Sequence, residues 1–143
     1  KDRLKDPTQV FAVFQELVRA GEYGRAHELL SAGARQSLPY EAFLIAFTSY
    51  DASRKMLFSI HVDAADPVRI RLCSPEFGVA RDVKLSKLGS IHLLDLTPDD
   101  MEFLKSRTLD WFRLQAKRAD GWHFAYPPDW TYAPLARKCS SRR

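Results

Sequence analysis

Four polar residues interrupt what otherwise read as apolar strand faces, and they are where chemistry would be sought first. Arg81 lies between Val79 and Val83. Asp95 follows Ile91 and Leu93 at two-residue spacing, Asp110 precedes Phe112 and Leu114, and Tyr126 follows Trp122 and Phe124. Side chains at that spacing share one face of a strand. An arginine, two carboxylates and a phenol on buried faces would line a pocket and could bind a polar ligand atom or exchange a proton. Each also has a plainer role: Arg81 at a sheet edge, Asp95 and Asp110 meeting water near strand ends, Tyr126 in the core with its hydroxyl at the rim.

Other reactive types carry less. His61 and Asp63 share a strand face opposite Phe58, Ile60 and Val62, so they read as a surface pair. His92 and His123 fall on expected strands, and His27 lies beside Glu28 on a helix with no evident partner. The two cysteines, Cys73 and Cys139, have no metal-ligand spacing, so no metal or cofactor is expected, and two unpaired thiols are expected ahead of a disulfide that would pin the tail to the sheet. No serine sits in a nucleophile-elbow context and no glycine loop suits phosphates. Trp111, Phe112, Trp122, Phe124, Tyr126, Trp130 and Tyr132 crowd the C-terminal part, where strand spacing favours core and cross-strand pairs over a base-stacking platform.

Charge points away from nucleic acid. The net charge is +4, and Arg137, Lys138, Arg142 and Arg143 supply four positive charges at the end of the chain. The remaining basic residues equal the 18 acidic ones in number, so the body is formally neutral. A phosphate-binding surface would concentrate cations on a folded face instead. No apolar run is long enough for a transmembrane helix. The chain begins at Lys1, which fits a fragment or a processed form; its compartment stays open between cytoplasm and export.

The elements that would position these residues change character near residue 50. Asp6-Pro7-Thr8-Gln9 reads as a helix start. Val10, Phe11, Phe14, Leu17 and Val18 form one helical stripe, stopped by Gly21. Tyr23, Ala26, Leu29 and Leu30 mark a second helix broken at Gly33, and Pro39 opens a third with Tyr40, Phe43, Leu44 and Phe47 on one face. Beyond Lys55 the pattern alternates. Strands are expected at Met56–Val62, Val68–Cys73, Val79–Ser86 and Ser90–Leu96, with a turn at Asp66-Pro67, a helix start at Thr97-Pro98-Asp99-Asp100 leading to a short helix from Met101 to Ser106, and a hairpin around Asp120-Gly121. Residues 1–6 are expected to form an N-terminal segment, 7–132 a single α+β domain, and 133–143 a basic tail expected to be disordered. The fold class is α+β, with N-terminal helices packed on a curved, mainly antiparallel sheet.

The stretch Phe11-x-x-Phe14-x-x-Leu17-x-x-Ala20-Gly21-Glu22-Tyr23-x-x-Ala26-x-x-Leu29-Leu30, followed by Leu38-Pro39-Tyr40-Glu41-Ala42-Phe43 and closing on Asp120-Gly121-Trp122-His123-Phe124, resembles the nuclear transport factor 2-like (cystatin-like cone) superfamily. The resemblance spans most of residues 7–126 and rests on the order of packing residues. It implies a bent sheet wrapped around helices with a pocket inside. The family includes isomerases, cyclases, dehydratases, transport adaptors and noncatalytic domains, so membership supplies a place for a site and not a reaction. An enzyme resembling ketosteroid isomerase would use Asp95 or Asp110 as base and Tyr126 as oxyanion donor. With no defined catalytic set, the expectation is a noncatalytic domain binding a small apolar ligand or a protein. The alternatives are a small lyase or isomerase and a homodimeric assembly module joined through its outer sheet face. A closed cone filled by Phe and Leu side chains would overturn together both readings that place a site inside it, ligand binding and catalysis.

Overall fold

The structure is a computed structural model that describes residues 2–49, 51–76 and 79–104. A 3-10 turn at Asp2–Lys5 leads to α1, Val10–Arg19. The helix starts later than the expected Asp6 cap. Asp6 instead closes a turn, its Oδ1 accepting from the Thr8 backbone N at 2.9 Å and from Thr8 Oγ1 at 2.8 Å. Arg3 reaches across this turn and donates to Glu16 at 2.7 and 2.8 Å. Gly21 ends α1 as expected. Its φ of +79° is open to glycine at little cost. Glu22 N bonds Leu17 O and Gly21 N bonds Val18 O, the pairing of a Schellman cap.

Three further helices follow, α2 (Tyr23–His27), α3 (Ala32–Ser37) and α4 (Tyr40–Thr48). Gly33 does not break a helix; it lies inside α3. The preceding helix already ends at His27, and Ser31 starts the next, its Oγ accepting from Ala34 N at 3.2 Å as an N-cap. Pro39 precedes α4 as expected, but Tyr40 is exposed and Leu44 only half-buried, so Phe43, Ala46 and Phe47 form the buried face.

The largest departure comes next. Met56–Ser59 is not a strand but the end of a fifth helix, α5, Asp51–Ser59. Met56, Leu57 and Ile60 are buried at helical spacing. Gln15 of α1 donates from Nε2 to the carbonyls of Leu57 and Ile60, both at 2.8 Å, and satisfies acceptors left open at the helix end.

Four strands then form an antiparallel curved meander in the order β1 (His61–Ala65), β2 (Arg69–Ser74), β3 (Val79–Leu88) and β4 (Ile91–Asp95). Asp66 turns β1 into β2, accepting at Oδ1 from the backbone N of Val68 and Arg69. Gly89, at φ +65°, turns β3 into β4. A bulge at Asp63 interrupts the β1–β2 register. Among the described residues, the edge of β4 away from β3 is met by the segment before α3: Ser31 N bonds Leu94 O, and Leu94 N bonds Leu29 O, both at 2.8 Å. The architecture is therefore α+β, helices over one face of a sheet.

Cross-strand partners define the faces. Ile70 opposes Val83, Leu72 opposes Arg81, and Leu85 opposes Leu94. Ile70, Leu72, Val83, Leu85 and Leu94 belong to the same core as Phe11, Phe14, Phe43 and Phe47. Phe14 meets Phe43 and Phe47 edge to face, with centroids 5.9 and 6.2 Å apart. Among the described residues, the space between helices and sheet is filled by these side chains.

A sixth helix, α6 (Pro98–Leu104), follows the expected Thr97-Pro98 start. Thr97 Oγ1 accepts from Asp100 N at 3.1 Å while Asp100 Oδ2 accepts from Thr97 N at 2.8 Å, a reciprocal capping box. No helix among the described residues is long and apolar enough to cross a membrane. The expected hairpin around Asp120-Gly121, the C-terminal aromatic cluster and the basic tail lie outside the described residues.

Candidate functional site

Two of the four candidate site residues are described. Arg81 is on the helix-facing side of β3, opposite Leu72. Its Nε donates to Asp100 Oδ1 at 2.5 Å, with side chains only 10% and 5% exposed. Asp100 thus uses one oxygen to cap α6 and the other to hold β3. In the sequence, only its place at the start of a helix marks Asp100.

Asp95 lies on the opposite face of the sheet from Arg81. It opposes Lys84, one residue out of phase with the Leu85–Leu94 pair that belongs to the core. The expected apolar phase of β4, Ile91-Leu93-Asp95, is therefore the reverse side, and Leu94 and Leu96 provide the core contacts. Asp95 Oδ1 accepts from Ser31 Oγ at 2.7 Å. The same hydroxyl oxygen receives Ala34 N, so Ser31 donates to the strand and accepts from the helix. Asp110 and Tyr126 lie outside the described residues.

The histidines occupy structural settings. His27, without an evident partner in the sequence, donates from Nε2 to the Leu38 carbonyl at 2.8 Å and packs against Phe43 at 5.1 Å. A carbonyl only accepts, so Nε2 carries the proton there. His92 is 4% exposed, and its Nδ1 contacts the Leu4 carbonyl at 3.2 Å, tying the N-terminal turn to β4. His61 is exposed at the start of β1, and the bulge at Asp63 ends the alternation that would have paired the two on one face. Among the described residues no group of three or more His, Cys, Asp or Glu could hold a metal ion.

Cys73 corrects another expectation. It is fully buried with Ala80 in a cluster separate from the main core, and it is disulfide-bonded instead of a free thiol. The other cysteine of the sequence, Cys139, lies outside the described residues. Nearby, Arg71 donates from Nε to Asp82 Oδ1 at 2.9 Å, and this bond raises the already high pKa of the guanidinium.

Among the described residues, two cavities are lined by neither Arg81 nor Asp95. A small one of about 100 Å³ is lined by Leu30, Ala34, Leu38, Leu96, Pro98 and Met101, with Ser37 and Thr97 at its polar side. A larger one of about 370 Å³ opens at the β3–β4 hairpin. There Leu4, Val13, Leu17, Leu29, Leu88, Ile91 and Leu93 supply apolar walls, and Arg25, Glu28 and Arg35 supply charge. Leu88 is 63% exposed at this site. These residues come from the N-terminal turn, α1, α2, the link to α3, α3 itself, β3 and β4. No motif joins them, and only the fold brings them together.

Compared with known proteins, the chain matches no family model, no curated protein and no solved structure.

Proposed function

We propose that this chain is a noncatalytic binding domain that takes a small, mainly apolar ligand in the cavity at the β3–β4 hairpin. The observation that carries this reading is the cavity itself. Its volume of about 370 Å³ is of the size of small-molecule sites, and seven apolar side chains with three charged ones have the composition of such sites. The ligand site in this reading is at the sheet edge, while the described interior is filled by phenylalanine and leucine. Kinship with the nuclear transport factor 2-like cone is part of the same proposal, supported by helices that precede and cover one face of a curved antiparallel sheet.

Binding is favoured over acid–base catalysis because Asp95 is bonded to Ser31 and does not line this cavity. A lyase or isomerase would instead need Asp95 or Asp110 to meet a substrate together with Tyr126.

The test is titration with 1-decanol, followed by calorimetry and by the rise in unfolding temperature that a ligand of the folded state produces. Saturable one-to-one binding is expected, and Ile91→Trp, which places an indole in the space, should remove it. Absence of saturable binding, or binding indifferent to Ile91→Trp in a folded variant, overturns the proposal.

A further inference from the structure

We infer that the ligand of this cavity is an amphipathic carboxylate, its hydrocarbon chain held by the apolar walls and its head group by Arg35, with Arg25 beside it. The inference rests on the binding reading above and adds the chemical class of the ligand.

Three charged residues line the cavity, and their partners differ. Arg35, on α3, is half-buried, and none of the described carboxylates lies within ion-pair distance of it. Among the described carboxylates, Arg25, on α2, reaches Glu22 alone, at 3.9 Å and at an exposed position where such a pair contributes little. Glu28 forms no ion pair with either arginine. The lining therefore carries two guanidinium groups against one carboxylate. A partly desolvated guanidinium without an anion has a planar fork of donors still to satisfy, and a carboxylate matches that fork with two parallel bonds. The remaining lining side chains are all apolar, which suits hydrocarbon for the rest of the ligand. Glu28 acts against any anion and for any cation, which gives the inference a second sign to check.

The experiment compares decanoate, 1-decanol and decylamine on the intact chain at pH 8, where the acid is ionised. Decanoate should bind most tightly and decylamine least. Arg35→Gln should weaken decanoate about tenfold, the loss of one charge-assisted interaction, and leave 1-decanol unchanged. Arg25→Gln, on another helix, should act in the same direction and guards against a folding defect in the first variant. Glu28→Gln should tighten decanoate and weaken decylamine. Lengthening octanoate to decanoate should add about fourfold per methylene. If 1-decanol binds as tightly as decanoate, or if both arginine variants weaken the two alike, the carboxylate assignment is overturned while the cavity reading stands. If decylamine binds best, Glu28 governs the site and the assignment is likewise overturned. If none of the three binds, the proposed function fails with it.

Discussion

Arg81 on β3 and Asp100 in the first turn of α6 form a nearly buried ion pair, and Asp100 simultaneously completes the capping box of its own helix. One carboxylate thus fixes both the start of α6 and its attachment to the sheet. Arg81, a candidate for ligand contact from sequence, here serves the packing of two elements.

Removing Asp100 takes from Arg81 a charge-assisted hydrogen bond, worth about 1.5–3 kcal/mol. Asp100→Ala should therefore destabilise the chain by about that amount, and loss of the cap acts in the same direction. Equilibrium urea unfolding measures it. A change below about 1 kcal/mol would mean that the pair does not join β3 to α6.

The Ser31–Asp95 bond gives a prediction that separates structure from chemistry. Ser31→Ala should cost about 1 kcal/mol through loss of the α3 cap. A double-mutant cycle with Asp95→Asn should show coupling of at least about 0.5 kcal/mol, as expected for residues in contact. Additive effects would free Asp95 for another role.

Acid should loosen the N-terminal turn. The Arg3 hydrogen bond holds the Glu16 carboxyl below its ordinary value of 4.5, and the Thr8 hydroxyl and backbone hold Asp6 below 3.8. A carboxyl whose folded pKa is depressed contributes stability that is complete above its unfolded value and is lost as pH falls through the folded one. Amide exchange over residues 3–9 should therefore be more protected at pH 6 than at pH 3, after correction for intrinsic rates. Arg3→Ala should reduce that difference. High salt should also reduce it, because the Arg3–Glu16 pair is exposed.

Gln15 bridges α1 to the end of α5 through two carbonyls. Gln15→Leu keeps the bulk but leaves Leu57 O and Ile60 O without this donor. The expected loss is about 1–3 kcal/mol in urea unfolding, from unsatisfied part-buried acceptors. An unchanged midpoint would show that water replaces the side chain at no cost.

The parts of this fold that could be read from sequence are those set by local stereochemistry. The Gly21 stop, the Thr97-Pro98 start and the Asp66 turn each depend on residues within a few positions of one another. Gly33 misled because glycine inside a short helix is tolerated when a strong cap, here Ser31, lies two residues before it. Met56–Val62 misled because a short apolar run fits both periods: Met56, Phe58 and Ile60 alternate, yet Met56, Leu57 and Ile60 also share a helix face. The deciding contact comes from Gln15, far away in sequence. The phase of β4 was ambiguous for a related reason. Leu93 and Leu94 are both buried, on opposite faces, so alternation could not say which side Asp95 takes. The larger cavity was not legible at all, since Arg25, Arg35 and Ile91 meet only through tertiary packing.

The two bonds between Leu94 and the segment Leu29–Ser31 have a consequence for how copies of this chain can meet. An open strand edge is a template on which a strand of another molecule can add, the common route to edge-to-edge aggregation. Here the backbone groups of Leu94 that point away from β3 are already occupied by the chain's own helical layer. A second copy cannot continue the sheet at mid-β4 without first displacing that segment and, with it, the serine that starts α3. Self-association by sheet extension at this edge is thereby coupled to undoing part of the helical layer.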